Sequence, residues 1–279
     1  MPSITLNNGV AIPQVGLGVF QVPDDGTQAN VEQALEIGYR HVDTAAGYYN
    51  EAGVGAAVRA SGIPREELFV TTKLRNGDQG YDRALAAFEK SRRELGLDVV
   101  DLYLIHWPVP SRDLYVETWK AFEKLLSDGA VRAIGVSNFL PEHLDRLVAE
   151  SDVVPAVNQI EVHPTFQQRD VRARCGELDV VVEAYSPLGQ GADLDADAVV
   201  GVAEELGVTP AQVILRWEVQ QGLVVIPKSM SAERQATNID LFSFELTDEH
   251  VTRIAGLESG VDARLGADPA EASFTQFRH

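Results

Sequence analysis

The stretch Tyr39-Arg40-His41-Val42-Asp43-Thr44-Ala45-Ala46-Gly47-Tyr48 decides the architecture. Its first half has the length and apolar character of a buried strand, with a carboxylate at the far end and a phenol shortly after it. Two later apolar runs end in the same manner. Val70-Thr71-Thr72-Lys73 delivers an amine, and Leu102-Tyr103-Leu104-Ile105-His106-Trp107-Pro108 delivers an imidazole. Titratable groups at the ends of three successive strands would gather around one cleft, a pattern that packing alone does not require.

Outward from that stretch, apolar runs of strand length recur at residues 15–19, 41–45, 68–73, 100–106, 133–136, 156–160, 180–184 and 224–227. Amphipathic segments of helical period lie between most of them, including 28–37, 82–95, 115–127 and 141–149, and Gly38, Gly96 and Gly129 follow three of these as stop signals. Ahead of the alternation, residues 4–6 and 10–13 flank Asn7-Asn8-Gly9, which supplies the positive φ of a tight turn. Strands and helices alternating over about 250 residues predict an α/β fold, a (β/α)8 TIM barrel with an N-terminal β-hairpin. The Val- and Ile-rich strands suit a parallel sheet covered on both faces. A doubly wound open sheet has the same periodicity and is the alternative. No linker, repeat or low-complexity segment divides the chain, so residues 1–279 are expected to form a single domain. The segment from Gly260 onward reads as irregular and positioned to close over one end. Asp43, Lys73, His106, Ser137, Asn138, Gln159, Tyr185 and Lys228 all fall where strands end, the functional face of such a barrel.

The chain is 45% hydrophobic and carries a formal charge of −19 with a pI near 4.6. That excess disfavours nucleic acid and anionic membranes as partners. An anionic cofactor would need a local basic cluster. Neither a signal peptide nor a bilayer-spanning stretch is evident, and the one cysteine, Cys175, fits a reducing cytosol. Cys175 lies in a predicted helix and reads as an inert, half-buried thiol.

A tyrosine hydroxyl titrates near pH ~10 and donates its proton poorly unless its anion is favoured. The Lys73 ammonium would favour it, Asp43 would keep Lys73 charged and fixed, and His106 could orient a carbonyl oxygen toward Tyr48. Such a site protonates an oxygen while another group delivers a hydride. A buried ion pair with a satisfied histidine and tyrosine is the bland alternative. Ile226-Pro227-Lys228-Ser229-Met230-Ser231 with Arg234 is the basic cluster sought, opening a helix with the donors that suit a phosphate monoester. A solvated helix start capped by serines competes with that reading. Gly16-Leu17-Gly18 lacks a third glycine in register, and Gly53-Val54-Gly55 reads as helix packing. His106, Glu161 and His163 lack metal-site spacing, so no metal is expected.

With these residues in hand, the chain resembles the aldo-keto reductases, most closely their short bacterial members, the 2,5-diketo-D-gluconate reductases. The resemblance runs from about Ile4 to about Leu257. Its motifs are GYRHVDTA with Tyr48 and Asn50-Glu51, VTTKL, DLYLIHWP, IGVSNF, PAVNQIEVHP, YSPLGQG and IPKS with Arg234. It implies a barrel that binds NADPH (NADP+) in extended form and reduces small carbonyl compounds, with Tyr48 as general acid, Asp43 and Lys73 tuning it and His106 orienting the substrate. Ser137, Asn138 and Gln159 match residues that hold the nicotinamide carboxamide, and Tyr185 matches the aromatic stacked on its ring. Ser186, Pro187 and Leu188 match the loop over the pyrophosphate. Lys228, Ser229 and Arg234 match the 2′-phosphate clamp, Asn238 an adenine contact, and Gly18, Val19, Asp43 and Met230 also line the cofactor site. Phe20, Tyr48, Tyr49, His106 and Trp107 are the expected substrate walls.

Two positions depart from the family pattern. Thr237 stands where a glutamate usually contacts adenine. Arg75 stands where many members have tryptophan, and either lines the pocket mouth, favouring keto-sugar acids, or forms a surface salt bridge. The expected protein is a cytosolic monomer. A non-catalytic NADPH-sensing regulatory barrel and a metal-dependent barrel hydrolase are the rival functions.

Overall fold

The computed structural model describes residues 1–275. The hairpin forms first, β1 (Ser3–Thr5) against β2 (Ala11–Pro13), with Ile4 opposite Ile12. Gly9 makes the turn at φ 86°, and its N–H donates to Leu6 O at 2.8 Å.

Eight parallel strands follow in chain order: β3 (Leu17–Gly18), β4 (His41–Asp43), β5 (Phe69–Leu74), β6 (Val100–Ile105), β7 (Val131–Ser137), β8 (Val157–Glu161), β9 (Val181–Tyr185) and β10 (Val224–Val225). Each pairs with its sequence neighbour. Val15 bridges to Val225, with Gly16 N–H donating to Val225 O at 2.8 Å and Val225 N–H to Gln14 O at 3.0 Å. Those bonds close the sheet into the predicted barrel and exclude the open sheet.

Helices α1 (Asp24–Ile37), α2 (Glu51–Ala60), α3 (Tyr81–Leu95), α4 (Tyr115–Ser127), α5 (Pro141–Ala149) and α6 (Arg169–Glu177) take up the first connections. The later ones hold α7 (Asp197–Leu206), α8 (Pro210–Gln220), α9 (Ala232–Ile239) and α10 (Asp248–Ala255). α1 starts four residues before the expected position, because Asp24 and Asp25 favour its first turn. No single helix among the described residues is long and apolar enough to cross a bilayer.

Strand parity separates two cores. Val70, Tyr103, Ile105, Ile160, Val182 and Ala184 face the helices. Phe69, Leu102, Leu104, Ala133, Val157 and Val224 face the barrel axis, where Leu6 and Ile12 of the hairpin region pack against them and plug the lower end. Toward the strand C-termini the inward positions turn polar, and there the site is built. Gly55 explains the glycine pair in α2: a Cβ on it would lie 1.9 Å from Leu95 O, so only glycine lets α2 meet the end of α3.

After α10 no long element follows among the described residues, as expected of the tail. It crosses the C-terminal face: Leu265 and Gly266 N–H donate to the Glu161 carboxylate at 2.7 and 2.8 Å. Farther on, Ala272 and Phe274 pack on Trp107 and Val109, and Phe274 O accepts from Asn76 Nδ2 at 2.9 Å.

Candidate active site

Strand ends deliver the four titratable groups to one place. Asp43 ends β4, Lys73 lies in β5, and His106 follows β6 directly. Tyr48 closes a 3-10 turn over Ala46–Tyr48. That turn is held from below. Asn50, fully buried, accepts from Thr44 Oγ1 at 2.7 Å and donates to Val19 O at 3.0 Å and Val22 O at 3.3 Å. Glu51 then ties the start of α2 to Thr72 (2.6 Å) and Ser91 (3.2 Å).

Lys73 is buried with its ammonium 2.5 Å from Asp43 Oδ1, 2.9 Å from Thr44 O and 3.5 Å from the Tyr48 hydroxyl. Burial pulls the Lys73 ammonium down, but Asp43 and Tyr48 outweigh it and leave it raised, so it stays charged. Burial raises Asp43, with Lys73 opposing. For Tyr48 the balance differs from the expected net lowering. Lys73 pulls the phenol down, yet burial dominates and leaves it raised. Tyr48 therefore keeps its proton at neutral pH, with a cation in place to receive the anion. The His106 ring lies edge-on to Tyr48, centroids 5.6 Å apart. Burial and then Lys73 hold it well below the ordinary imidazole range, which makes it a neutral donor.

The cofactor candidates line the next strand ends. Gln159 Nε2 donates to Asp43 Oδ2 at 2.8 Å and to Glu183 Oε2 at 2.7 Å. Ser137 Oγ donates to Gln159 O at 2.8 Å, Asn138 Nδ2 to His106 O at 3.0 Å, and the Tyr185 hydroxyl to Asn138 Oδ1 at 2.8 Å. Gly18 and Val19 border this group, Val19 N–H donating to Asp43 O at 3.1 Å. Ser186 has φ 47°, Pro187 is buried, and Leu188 packs on the helical core. Beyond β10, Ser231 caps α9 and Ser229 bonds to the Ser231 N–H, so the capping role is filled. Lys228 and Arg234 remain exposed and make no ion pair or side-chain hydrogen bond among the described residues. Met230 is exposed beside them, and Asn238 is buried on α9. Thr237 bonds back to Glu233 O at 2.8 Å.

Among the substrate candidates, Phe20 lies 5.0 Å from the Tyr48 ring and Tyr49 is exposed at φ 59°. Trp107 is buried, its ring 5.2 Å from Phe274. Arg75 pairs with Asp78 at 2.8 Å, and both border, with Tyr49, a cleft of about 420 Å³.

Glu161 and His163 are engaged elsewhere: His163 pairs with Glu161 at 3.2 Å and Asp193 at 2.9 Å, and Glu161 anchors the tail. Cys175 is fully buried in α6, its thiol pushed up to about 11 by burial. Glu183 and His41 escaped the sequence reading. The sequence shows a charge within the apolar run Val180-Val181-Val182-Glu183-Ala184-Tyr185, and the pairing of Glu183 with Gln159 is what turns it inward.

Residues 14–259 match the model of the aldo/keto reductase family. An aldo-keto reductase of Mycolicibacterium smegmatis is 54% identical over 274 residues, covering 98% of this chain and 99% of that protein. Glyoxal reductase of Bacillus subtilis is 48% identical over 274 residues, 98% of each chain. The crystal structure of a Gox0644 mutant in complex with NADPH aligns with a TM-score of 0.94 at 46% identity, covering 98% of this chain and 99% of that one. Sequence likeness along nearly the whole length, on the same barrel, makes this chain a member of the aldo/keto reductase family.

Proposed function

We propose that the protein reduces small aldehydes and ketones to alcohols with NADPH, Tyr48 acting as the general acid. The observation that carries this is the Tyr48 hydroxyl 3.5 Å from a buried, charged Lys73 that is itself fixed by Asp43. Bound NADPH supplies the hydride. The chain's own residues do the rest. His106, neutral, donates to the carbonyl oxygen and turns it toward Tyr48. Tyr48 gives that oxygen its proton, and Lys73 stabilises the tyrosinate left behind.

The residues present suit this cofactor. Lys228 and Arg234 are cations without partners among the described residues, in a chain of net charge −19, at the start of α9 where a 2′-phosphate would be met. Ser137, Asn138 and Gln159 offer amide and hydroxyl groups for the carboxamide, Tyr185 a ring face, and residues 186–188 the pyrophosphate cover. Keto-sugar acids such as 2,5-diketo-D-gluconate are the substrates we favour within the class. Arg75 is the cation this choice relies on, although it pairs with Asp78 and borders a cleft between α2 and α3 that none of Tyr48, His106 and Trp107 lines. The acidic, single-cysteine chain suits a cytosolic monomer with no nucleic-acid or membrane partner.

The test is NADPH oxidation with a carbonyl panel, NADH in parallel, and the Tyr48→Phe variant. Turnover by the wild type, lost in Tyr48→Phe while NADPH still binds, is the expected result. NADPH binding without turnover on any carbonyl would point to a sensor. Arg75→Trp should lower the preference for carboxylated over neutral substrates, and an unchanged preference removes Arg75 from the pocket.

A further inference from the structure

Glu183 is fully buried inside the barrel and has no role in the mechanism above. On β9 it stands opposite Gln159 of β8 and Val224 of β10. The charged and titratable groups facing it come from the far wall: His41 and Asp43 of β4, Lys73 of β5 and Tyr48 of the 3-10 turn. Its Oε2 accepts from Gln159 Nε2 at 2.7 Å, and its Oε1 lies 3.5 Å from His41 Nε2.

The His41 ring fixes what that second oxygen must be. His41 Nδ1 sits 3.4 Å from Pro13 O, which can only accept, so Nδ1 carries the hydrogen. His41 Nε2 is then a lone pair, 3.1 Å from Thr71 Oγ1 on one side and facing Glu183 on the other. A carboxylate oxygen there would be repelled, whereas a carboxylic acid can point its hydrogen at Nε2.

We propose that Glu183 is a positioning residue that works as a neutral acid. Its Oε2, together with Asp43, takes both amide hydrogens of Gln159 and leaves Gln159 Oε1 as the atom presented to the nicotinamide carboxamide. No hydrogen bond to Gln159 Oε1 forms among the described residues. The electrostatics agree with the geometry. Burial, then Asp43, pushes the Glu183 carboxyl from 4.5 up to about 8, and burial takes His41 down to about 3, so the acid and the free imidazole coexist at neutral pH. When Glu183 ionises, Oε1 is repelled from His41, the side chain turns, and Gln159 loses its second anchor.

This rests on NADPH being the cofactor, and it is tested by fluorescence titration of NADPH at about pH 6.5 and about pH 9, either side of the titration. Wild type should bind more weakly at the higher pH, by about threefold or more. Glu183→Gln, a permanently neutral mimic that donates to His41 and accepts from Gln159, should match the wild type within about twofold at low pH and lose the alkaline weakening. Glu183→Leu should bind about five- to tenfold more weakly at both values. Wild-type alkaline weakening retained in Glu183→Gln would overturn the proposal, as would tight binding by a folded Glu183→Leu. Failure of the wild type to bind NADPH at either pH would overturn the cofactor reading and this proposal with it.

Discussion

Replacing Lys73 by methionine keeps most of the side-chain volume and removes one charge, which should separate two effects. Its ammonium sits 3.5 Å from the Tyr48 hydroxyl. At an effective dielectric of ~20, unit charges at that distance interact by about 5 kcal/mol. A general acid that has passed roughly half its charge in the transition state draws on about 2 kcal/mol of this, on the order of 30-fold in kcat. The second effect is on stability. Asp43, 2.5 Å from the lost ammonium, becomes a buried carboxylate without a cation. Breaking such a pair costs about 3–5 kcal/mol, which for a chain of this size lowers Tm by about 10 °C. The assay is single-turnover NADPH oxidation well below the new Tm, with NADPH affinity measured separately. The expected result is a kcat down by about 30-fold with NADPH affinity held within about twofold. A Lys73→Met enzyme that is destabilised yet keeps kcat within about twofold would show that Lys73 holds the fold and does not assist Tyr48.

Three further outcomes are expected. Gly55→Ala places a Cβ 1.9 Å from Leu95 O, forcing α2 off α3. It should cost about 3 kcal/mol, seen as a Tm lower by about 6–12 °C, and an unchanged Tm would mean the helices yield freely. His163 is pulled down by burial, but Asp193 and Glu161 raise it from 6.5 to about 9. The folded chain thus holds a proton across that window that the unfolded chain has released, so this stabilisation is full below 6.5 and lost as pH rises through 9. The wild type should lose Tm over that range relative to His163→Asn, and parallel pH profiles would exclude the link. Lys228→Ala and Arg234→Ala should each raise KM for NADPH about tenfold and leave KM for NADH unchanged, because NADH lacks the 2′-phosphate. Equal losses with both cofactors would move the phosphate site elsewhere.

The barrel was legible because its period is unusually clean. Strands such as Val100–Ile105 are buried on both faces and apolar at every position but Asp101, so each reads as a near-continuous run, and the polar residue ending it marks the candidate site. Asp43, Lys73 and His106 were visible for that reason. Glu183 was not, because an inward-facing acid in the middle of β9 has no local mark that separates it from an outward-facing one. Strand parity settles that question, and parity depends on the pairing of Glu183 with Gln159 across 24 residues. The net direction of the Tyr48 shift was also hidden. Sequence names the neighbouring charge, but the opposing cost of burial depends on how the walls close around the phenol. The first turn of α1 has no apolar periodicity and is set by Asp24 and Asp25 instead.

The bridge between Val15 and Val225 has a consequence for how the protein is made. The two partners are separated by nearly the whole barrel, so the seam cannot form until the ribosome has released the last strand. At ~5–20 residues per second, about 210 residues take on the order of 10–40 s to synthesise. Throughout that interval β3 presents an uncovered sheet edge, the kind of surface that recruits other chains. The newborn protein should therefore lean on chaperones until β10 emerges, and a nascent chain stalled before Val224 would carry two open edges and aggregate.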